Sequence, residues 1–300
     1  MKQLLIKLLF MGRPPNQYPT VRIPRGKIVE KVFLKNGKAQ LEITENHSIV
    51  CQSPFCIAVW IDKDLESFRA GTSLVLVKKG AKIVSRLEVN TMTVVEGNDY
   101  SITIFKIQKA ENLELSFILK KALDWKFNEK TNLTLLESEI YGALYAYPRG
   151  IILVSFKSEN YYNIFPMDFQ GYYAEKEIYI LGLRTTNITV DKIIEHKKVV
   201  VCVTDDTDIP TIYGLGKHHG TNPPDMDKLG FDVVESELFG FPVPAFSKCY
   251  KEIEIINHFK VGSHIMLVGK VLNDYARSDR PTSLYHLHGF HPKNRNYESI

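Results

Sequence analysis

Four short stretches carry residue types that can do chemistry. Arg184-Thr185-Thr186-Asn187 gathers a guanidinium, two hydroxyls and an amide between an apolar run and a segment of helical spacing. That set suits an anionic group, because charge-assisted donors and the open N–H groups of a helix start both favour negative charge. The same residues equally suit a plain capped helix start, where Thr and Asn are preferred. The other three stretches are Asn163-Ile164-Phe165-Pro166, Gly216-Lys217-His218-His219-Gly220 and Val261-Gly262-Ser263-His264. Adjacent His218 and His219 point to opposite sides of an extended chain and make a poor metal pair. With Lys217 they suit a phosphate or simply a solvated turn. His264 opens an apolar strand, a place where a histidine is more often structural than functional.

The common enzyme signatures are missing. The 300 residues contain no nucleophile elbow, no P-loop, no GxGxxG and no metal-ligand spacing. Four cysteines, Cys51, Cys56, Cys202 and Cys249, form no CxxC pair and read as small buried hydrophobes in a reducing compartment. A net charge of +4 lacks the dense basic stripe of a nucleic-acid binder. The apolar lead Lys2 to Met11 is interrupted by Lys7 and has no cleavage site of the signal-peptide kind. With no uninterrupted apolar run of about 18 residues, the expectation is a soluble cytoplasmic protein without nucleic-acid or membrane partners.

The elements that must hold these residues are mostly strands. Runs rich in Val, Ile, Thr and aromatics recur at Lys27–Leu34, Ala39–Thr44, Phe55–Ile61, Ser73–Lys78, Ile83–Val89, Thr91–Val95 and Tyr100–Ile107. Turn formers such as Asn36-Gly37 and Lys79-Gly80 punctuate them. Asp124–Thr134 reads as a linker, and Leu135–Leu144 and Thr189–His196 read as helices. Strands return at Gly150–Phe156, Ile178–Leu183, Val199–Thr204, Tyr250–Ile256 and His264–Leu272. Strands with occasional helices predict an antiparallel barrel, not a doubly wound sheet. Pro54–Ile61 and Pro148–Ser155 echo one another faintly; a true echo would make the first half a degenerate second barrel.

Several weak motifs then follow in one order: Pro148-Arg149-Gly150, Asn163-Ile164-Phe165-Pro166, Leu183 to Asn187, Gly216 to Gly220 with Asp227-Lys228, and Val261-Gly262-Ser263-His264 running on to Gly269-Lys270-Val271. Together, over about residues 136 to 295, they resemble the flavin reductase-like, FMN-binding split-barrel family. Two positions depart from its pattern: Gly150 stands for a proline, and Ser263 for the aspartate before His264.

The resemblance implies a fold, a cofactor and an activity. The fold is mainly β, an antiparallel FMN-binding split barrel of Greek-key form with short helices over residues 136–300, preceded by a β-rich domain over 1–130. The implied cofactor is FMN, bound by Asn163, Ile164, Phe165, Pro166, Arg184, Thr185, Thr186, Asn187, Lys217, His218 and His264. The implied activity is NAD(P)H:flavin oxidoreductase or flavoredoxin-like electron carrier, with NADH or NADPH as donor and no obligatory catalytic side chain. The alternative is an FMN-binding or ligand-sensing module without reductase activity. A homodimer is expected by resemblance, unless a second barrel in the same chain mimics that dimer.

Overall fold

The computed structural model describes residues 8–10, 14–24, 26–128, 133–204, 207, 209–218, 223, 225–276, 282–291 and 297–299. The fold is mainly β with antiparallel sheets and short helices. After β1 (Thr20–Pro24), the first half supplies β2 (Glu30–Asn36), β3 (Ala39–Glu42), β4 (His47–Gln52), β5 (Phe55–Asp62), β6 (Thr72–Lys79), β7 (Lys82–Glu96) and β8 (Tyr100–Asn112). These form a seven-stranded sheet in the order β3-β2-β6-β7-β8-β5-β4.

Helices Phe117–Asn128 and Leu135–Leu144 and the short β9 (Arg149–Gly150) lead to the second half. Its strands are β10 (Ile152–Ser158), β11 (Tyr161–Met167), β12 (Gln170–Tyr173), β13 (Ile178–Arg184) and β14 (Lys198–Val203). A long connection then carries the helix Ile209–Leu215 and the pair β15 (Val233–Glu235) and β16 (Pro242–Pro244). It ends in β17 (Cys249–Val261) and β18 (His264–Ala276). The second sheet runs β11-β10-β14-β17-β18-β13-β12. Counted from its own first strand, each sheet therefore has the same order. A four-stranded sheet, in which β1 pairs with β19 (Thr282–His286) and β20 (Glu298–Ser299) and β19 pairs with β9, joins the chain ends to the middle.

Both sheets are forced to close. Their outermost strands, β3 with β4 and β11 with β12, are consecutive in sequence. Seven strands laid flat would hold their edges about 29 Å apart, from six spacings of ~4.8 Å. The link Ile43 to Asn46 reaches at most about 18 Å, and Asp168-Phe169 at most about 11 Å. Each sheet must roll up until its edges nearly meet, giving two barrels split at those links. Hydrogen bonds from Ile43 N to Val32 O and from Gly182 N to Phe169 O, both 2.8 Å, carry the β2–β3 and β12–β13 ladders on into those links.

The two barrels pack face to face through β4, β5 and β8 on one side and β12, β13 and β18 on the other. Val50, Cys56, Trp60, Ile102 and Ile104 share one core with Tyr173, Ile178, Ile180, Met266 and Val268. Small residues make this contact possible. A Cβ on Gly171 would lie 2.0 Å from the Trp60 ring, and one on Gly182 would lie 2.8 Å from the Val50 carbonyl. Gly262 combines φ +53 with a Cβ position 2.1 Å from Ser53 O, which only glycine tolerates.

Three sequence expectations change. Residues 124–128 belong to the helix Phe117–Asn128, whose Ala122, Leu123 and Phe127 pack on Phe10 and Phe290. Leu119 joins them partly buried, whereas Phe117, Ile118 and Trp125 are exposed and blur the helical stripe. The runs at Ile83–Val89 and Thr91–Val95 are one strand, β7, broken only by bulges. The echo joins unlike places: Pro54–Ile61 falls on β5, whose counterpart in strand order is β13, whereas Pro148–Ser155 enters β10. The helices Leu135–Leu144 and Thr189–His196 form over the spans expected, the first with a capping box between Thr134 and Glu137.

Gly171→Ala should cost about 1–3 kcal/mol through overpacking against Trp60. Trp60→Leu in the same chain should recover part of that loss, a favourable coupling measurable by a double-mutant cycle in urea. Additive losses would show that the two residues do not compete for the same space.

Candidate functional site

The predicted binding residues gather in two neighbouring places and leave two of their number in the core. Asn163 lies on the edge strand β11, fully buried, and donates through Nδ2 to Thr189 Oγ1 at 2.9 Å. Tyr161 hydroxyl meets the same Thr189 oxygen at 2.8 Å. Asn187 Oδ1 accepts from Thr189 N at 2.9 Å, so its side chain caps the helix Thr189–His196 and fixes the preceding turn. Asn163 Oδ1 is buried and has no hydrogen-bond partner. An orphaned buried acceptor costs about 1–3 kcal/mol, and among the described residues of this corner Asn163 Oδ1 is the side-chain atom left in that state.

Arg184, Thr185 and Thr186 are exposed in the turn between β13 and that helix. Arg184 Nη2 donates to Gln52 Oε1 at 2.8 Å, a residue of the first barrel. Thr185 N and Oγ1 both donate to Ser263 O, at 3.1 and 3.2 Å, and Ser263 N donates to Ser53 O at 2.8 Å. The turn is thus braced from both barrels. His264 pairs across the sheet with Arg184 but is only 2% exposed. Its Nδ1 lies 2.9 Å from Ser263 Oγ, and its ring stacks on Phe169 at 5.4 Å. The Ser263 hydroxyl thus holds the imidazole through Nδ1.

Ile164 and Phe165 are buried in the second barrel's core. Pro166 packs near Gly216, and Lys217 follows it, exposed, in the 3-10 turn Gly216–His218. His219 lies outside the described residues. A cavity of about 670 Å³ lies beside β15, lined by Lys157, Met226, Asp227, Phe231 and Glu235, and includes none of the predicted residues.

Sequence reasoning missed a polar network at the barrel seams. Asp168, in the two-residue link of the second barrel, accepts through Oδ2 from Tyr145 hydroxyl and from His286 Nδ1, both at 2.8 Å. With Nδ1 donating, His286 Nε2 accepts from Tyr213 hydroxyl at 2.5 Å, and Tyr213 oxygen meets Thr20 Oγ1 at 2.8 Å. The first barrel's seam has its own version. His47 Nδ1 donates to Ile43 O at 2.7 Å, and its Nε2 accepts from Arg149 Nη1 at 2.8 Å. Arg149 and His286 are cross-strand partners on β9 and β19, so one small sheet reaches both seams. Bonded members are separated by up to 193 residues, and no short motif joins them.

The charges follow from these contacts. Burial and then the Arg149 charge hold the His47 imidazole well below its usual range, and it stays neutral. Burial pushes the Asp168 carboxyl up, but the His286 and Tyr145 hydrogen bonds and Arg149 outweigh it and hold the carboxyl below the usual range. Burial, then the Asp168 carboxylate, raises the Tyr145 phenol well above its ordinary value. Carboxylate, imidazole and the half-exposed Tyr213 phenol thus form one continuous hydrogen-bonded line from the seam to the surface.

No family model matches this chain, and no curated protein matches it. Among solved structures it is similar to an FMN-binding protein from Thermus thermophilus, at 18% identity over 48% of this chain and 84% of that one, with a TM-score of 0.42. It is also similar to the NADH:FAD oxidoreductase of Streptomyces globisporus C-1027, at 13% identity over 54% and 91%, TM-score 0.45. A third similar structure is a flavoredoxin from Methanosarcina acetivorans, at 16% identity over 44% and 70%, TM-score 0.38. No helix among the described residues is long and apolar enough to cross a membrane.

Because the folded Asp168 carboxyl is depressed, its stabilisation is present above the ordinary carboxylate range and disappears as pH falls through the lower folded value. Asp168→Asn should cost about 2–3 kcal/mol near neutral pH, the size expected for hydrogen bonds to a charged acceptor. It should also flatten the acid limb of a stability-against-pH curve. An unchanged acid limb would show that the seam carboxylate does not titrate with folding.

Proposed function

We propose that this chain binds FMN and works as an NAD(P)H-dependent flavin oxidoreductase or a flavoredoxin-like electron carrier. The observation that carries the reading is the corner where the exposed Arg184–Thr186 turn sits above a capped helix start beside Asn163 and its unpartnered Oδ1. Arg184 and Thr186 supply a cation and a hydroxyl for a phosphate dianion. Asn187 holds the turn in shape through Thr189 and is spent on that task. Asn163 Oδ1 suits an N–H donor, and the edge position of β11 leaves alternate backbone groups outside the sheet ladder. These donors and acceptors fit the two polar ends of the cofactor.

When bound, FMN supplies hydride acceptance from a stacked nicotinamide, which needs no obligatory protein acid or base. The chain's own part is positional. Ser53, Ser263 and Gln52 brace the turn, so that Arg184 is held before any ligand arrives. The Ser263-oriented His264 is packed on Phe169 and stabilises the strand start from within. That packing gives His264 a structural task at this corner; the second reading is an FMN-binding module without reductase activity.

Purified protein mixed with FMN should show its absorbance and should bleach anaerobically with NADH or NADPH. Arg184→Ala and Thr186→Ala should each weaken FMN binding by roughly 10-fold or more, as expected when a hydrogen bond to a charged group is lost. No binding at micromolar FMN would sink the reading. Binding without bleaching by either nicotinamide would leave the module.

A further inference from the structure

The two barrels agree in more than strand order: their mutual contacts repeat. The last residue of β4, Gln52, bonds the last residue of β13, Arg184, at 2.8 Å; the last residue of β12, Tyr173, bonds the last residue of β5, Asp62, also at 2.8 Å. Asp62 pairs with Tyr100 across the first sheet as Arg184 pairs with His264 across the second. Two residues earlier on β5 and β13, Trp60 meets Gly171 and Gly182 meets Val50. The β4–β5 turn lies on the β17–β18 turn through Ser53 and Ser263, and the β12–β13 connection lies on the β7–β8 turn through Lys176 and Asp99 at 2.6 Å. Each contact made by one half is returned by the other, which is the signature of an isologous two-fold interface.

The two corners this relation creates differ in chemistry. Arg184-Thr185-Thr186 corresponds to Asp62-Lys63-Asp64. Asn163 corresponds to Leu41, each standing two pairs in from the hairpin turn of its sheet. At the first-half corner Lys176 is already paired with Asp99 and Asp62. That corner has a carboxylate where the other has a guanidinium, and an apolar side chain where the other has an orphaned amide oxygen.

We infer that residues 30–112 take the place of a second subunit, so that the chain is a single-chain pseudo-dimer. It has one anion-binding corner, at Arg184, to which the first half contributes Gln52 as a positioning residue. The nature of the ligand there rests on the FMN reading above; the pseudo-dimer itself does not.

The test uses the full chain. Light scattering at tens of micromolar should give the mass of one chain, 34.4 kDa, and titration should saturate at one FMN per chain. Gln52→Ala should weaken FMN binding about three- to tenfold by releasing Arg184, with its thermal midpoint unchanged. Tyr173→Phe, which removes the equivalent bond at the other corner, should leave affinity within about twofold. A two-chain mass, two FMN per chain, or an unchanged affinity in Gln52→Ala would overturn the inference while leaving FMN binding intact. Absence of FMN binding would instead remove the cofactor reading, and the solution mass would still decide whether one chain stands alone.

Discussion

Everything in this molecule depends on two short links between sheet edges. A chain that must pass from β11 to β12 in two residues cannot leave its sheet open, so the barrel closes and its seam falls at Asp168-Phe169. Closure turns β12, β13 and β18 into a convex face that can meet its counterpart from the other barrel. It also puts Asp168 where no strand partner can satisfy it. The carboxylate is instead held by Tyr145 and His286, residues that arrive from the helix end and the C-terminal strand. Backbone reach thus dictates the fold, and the fold dictates where polar side chains must be imported.

The interface between the barrels solves a packing problem with few residues. Trp60 is fully buried, and the space for its ring exists because position 171 has no side chain. Gly182 lets the backbone of β4 approach in the same way. Around this dry centre, polar bonds such as Gln52 to Arg184 and Lys176 to Asp99 sit at the rim and fix the register. Apolar area supplies the attraction, and the rim supplies the alignment.

Much of the second half was legible in the sequence because its signals are local. The helix Thr189–His196, the turn before it and the strands β13, β14 and β18 follow from periodicity and turn formers within a few residues. The first half was legible as strands, and as a second barrel only through an echo that pairs unlike strands, since Asn163 matches Leu41 and Arg184 matches Asp62. Such exchanges erase sequence likeness while leaving strand order untouched. The helix Phe117–Asn128 escaped because only a narrow face of it is buried. The seam network escaped for a different reason: Asp168, Tyr213 and His286 are brought together only by barrel closure and by the pairing of β9 with β19. Ile164 and Phe165, given as cofactor-binding by the resemblance, are buried members of the second barrel's core.

The covalent tie between the barrels has a consequence for how their contact can change. In an assembly of identical chains every substitution at a two-fold interface occurs twice, so a tryptophan at position 60 would have to be matched by one at its mate. Here the mate is Gly182, and each side of the contact is free to mutate without the other. Dilution cannot separate the halves either, since each experiences its neighbour at an effective concentration on the order of millimolar. One half is thereby released to serve as a buttress, and its own corner can drift to the opposite charge without loss of the shared core.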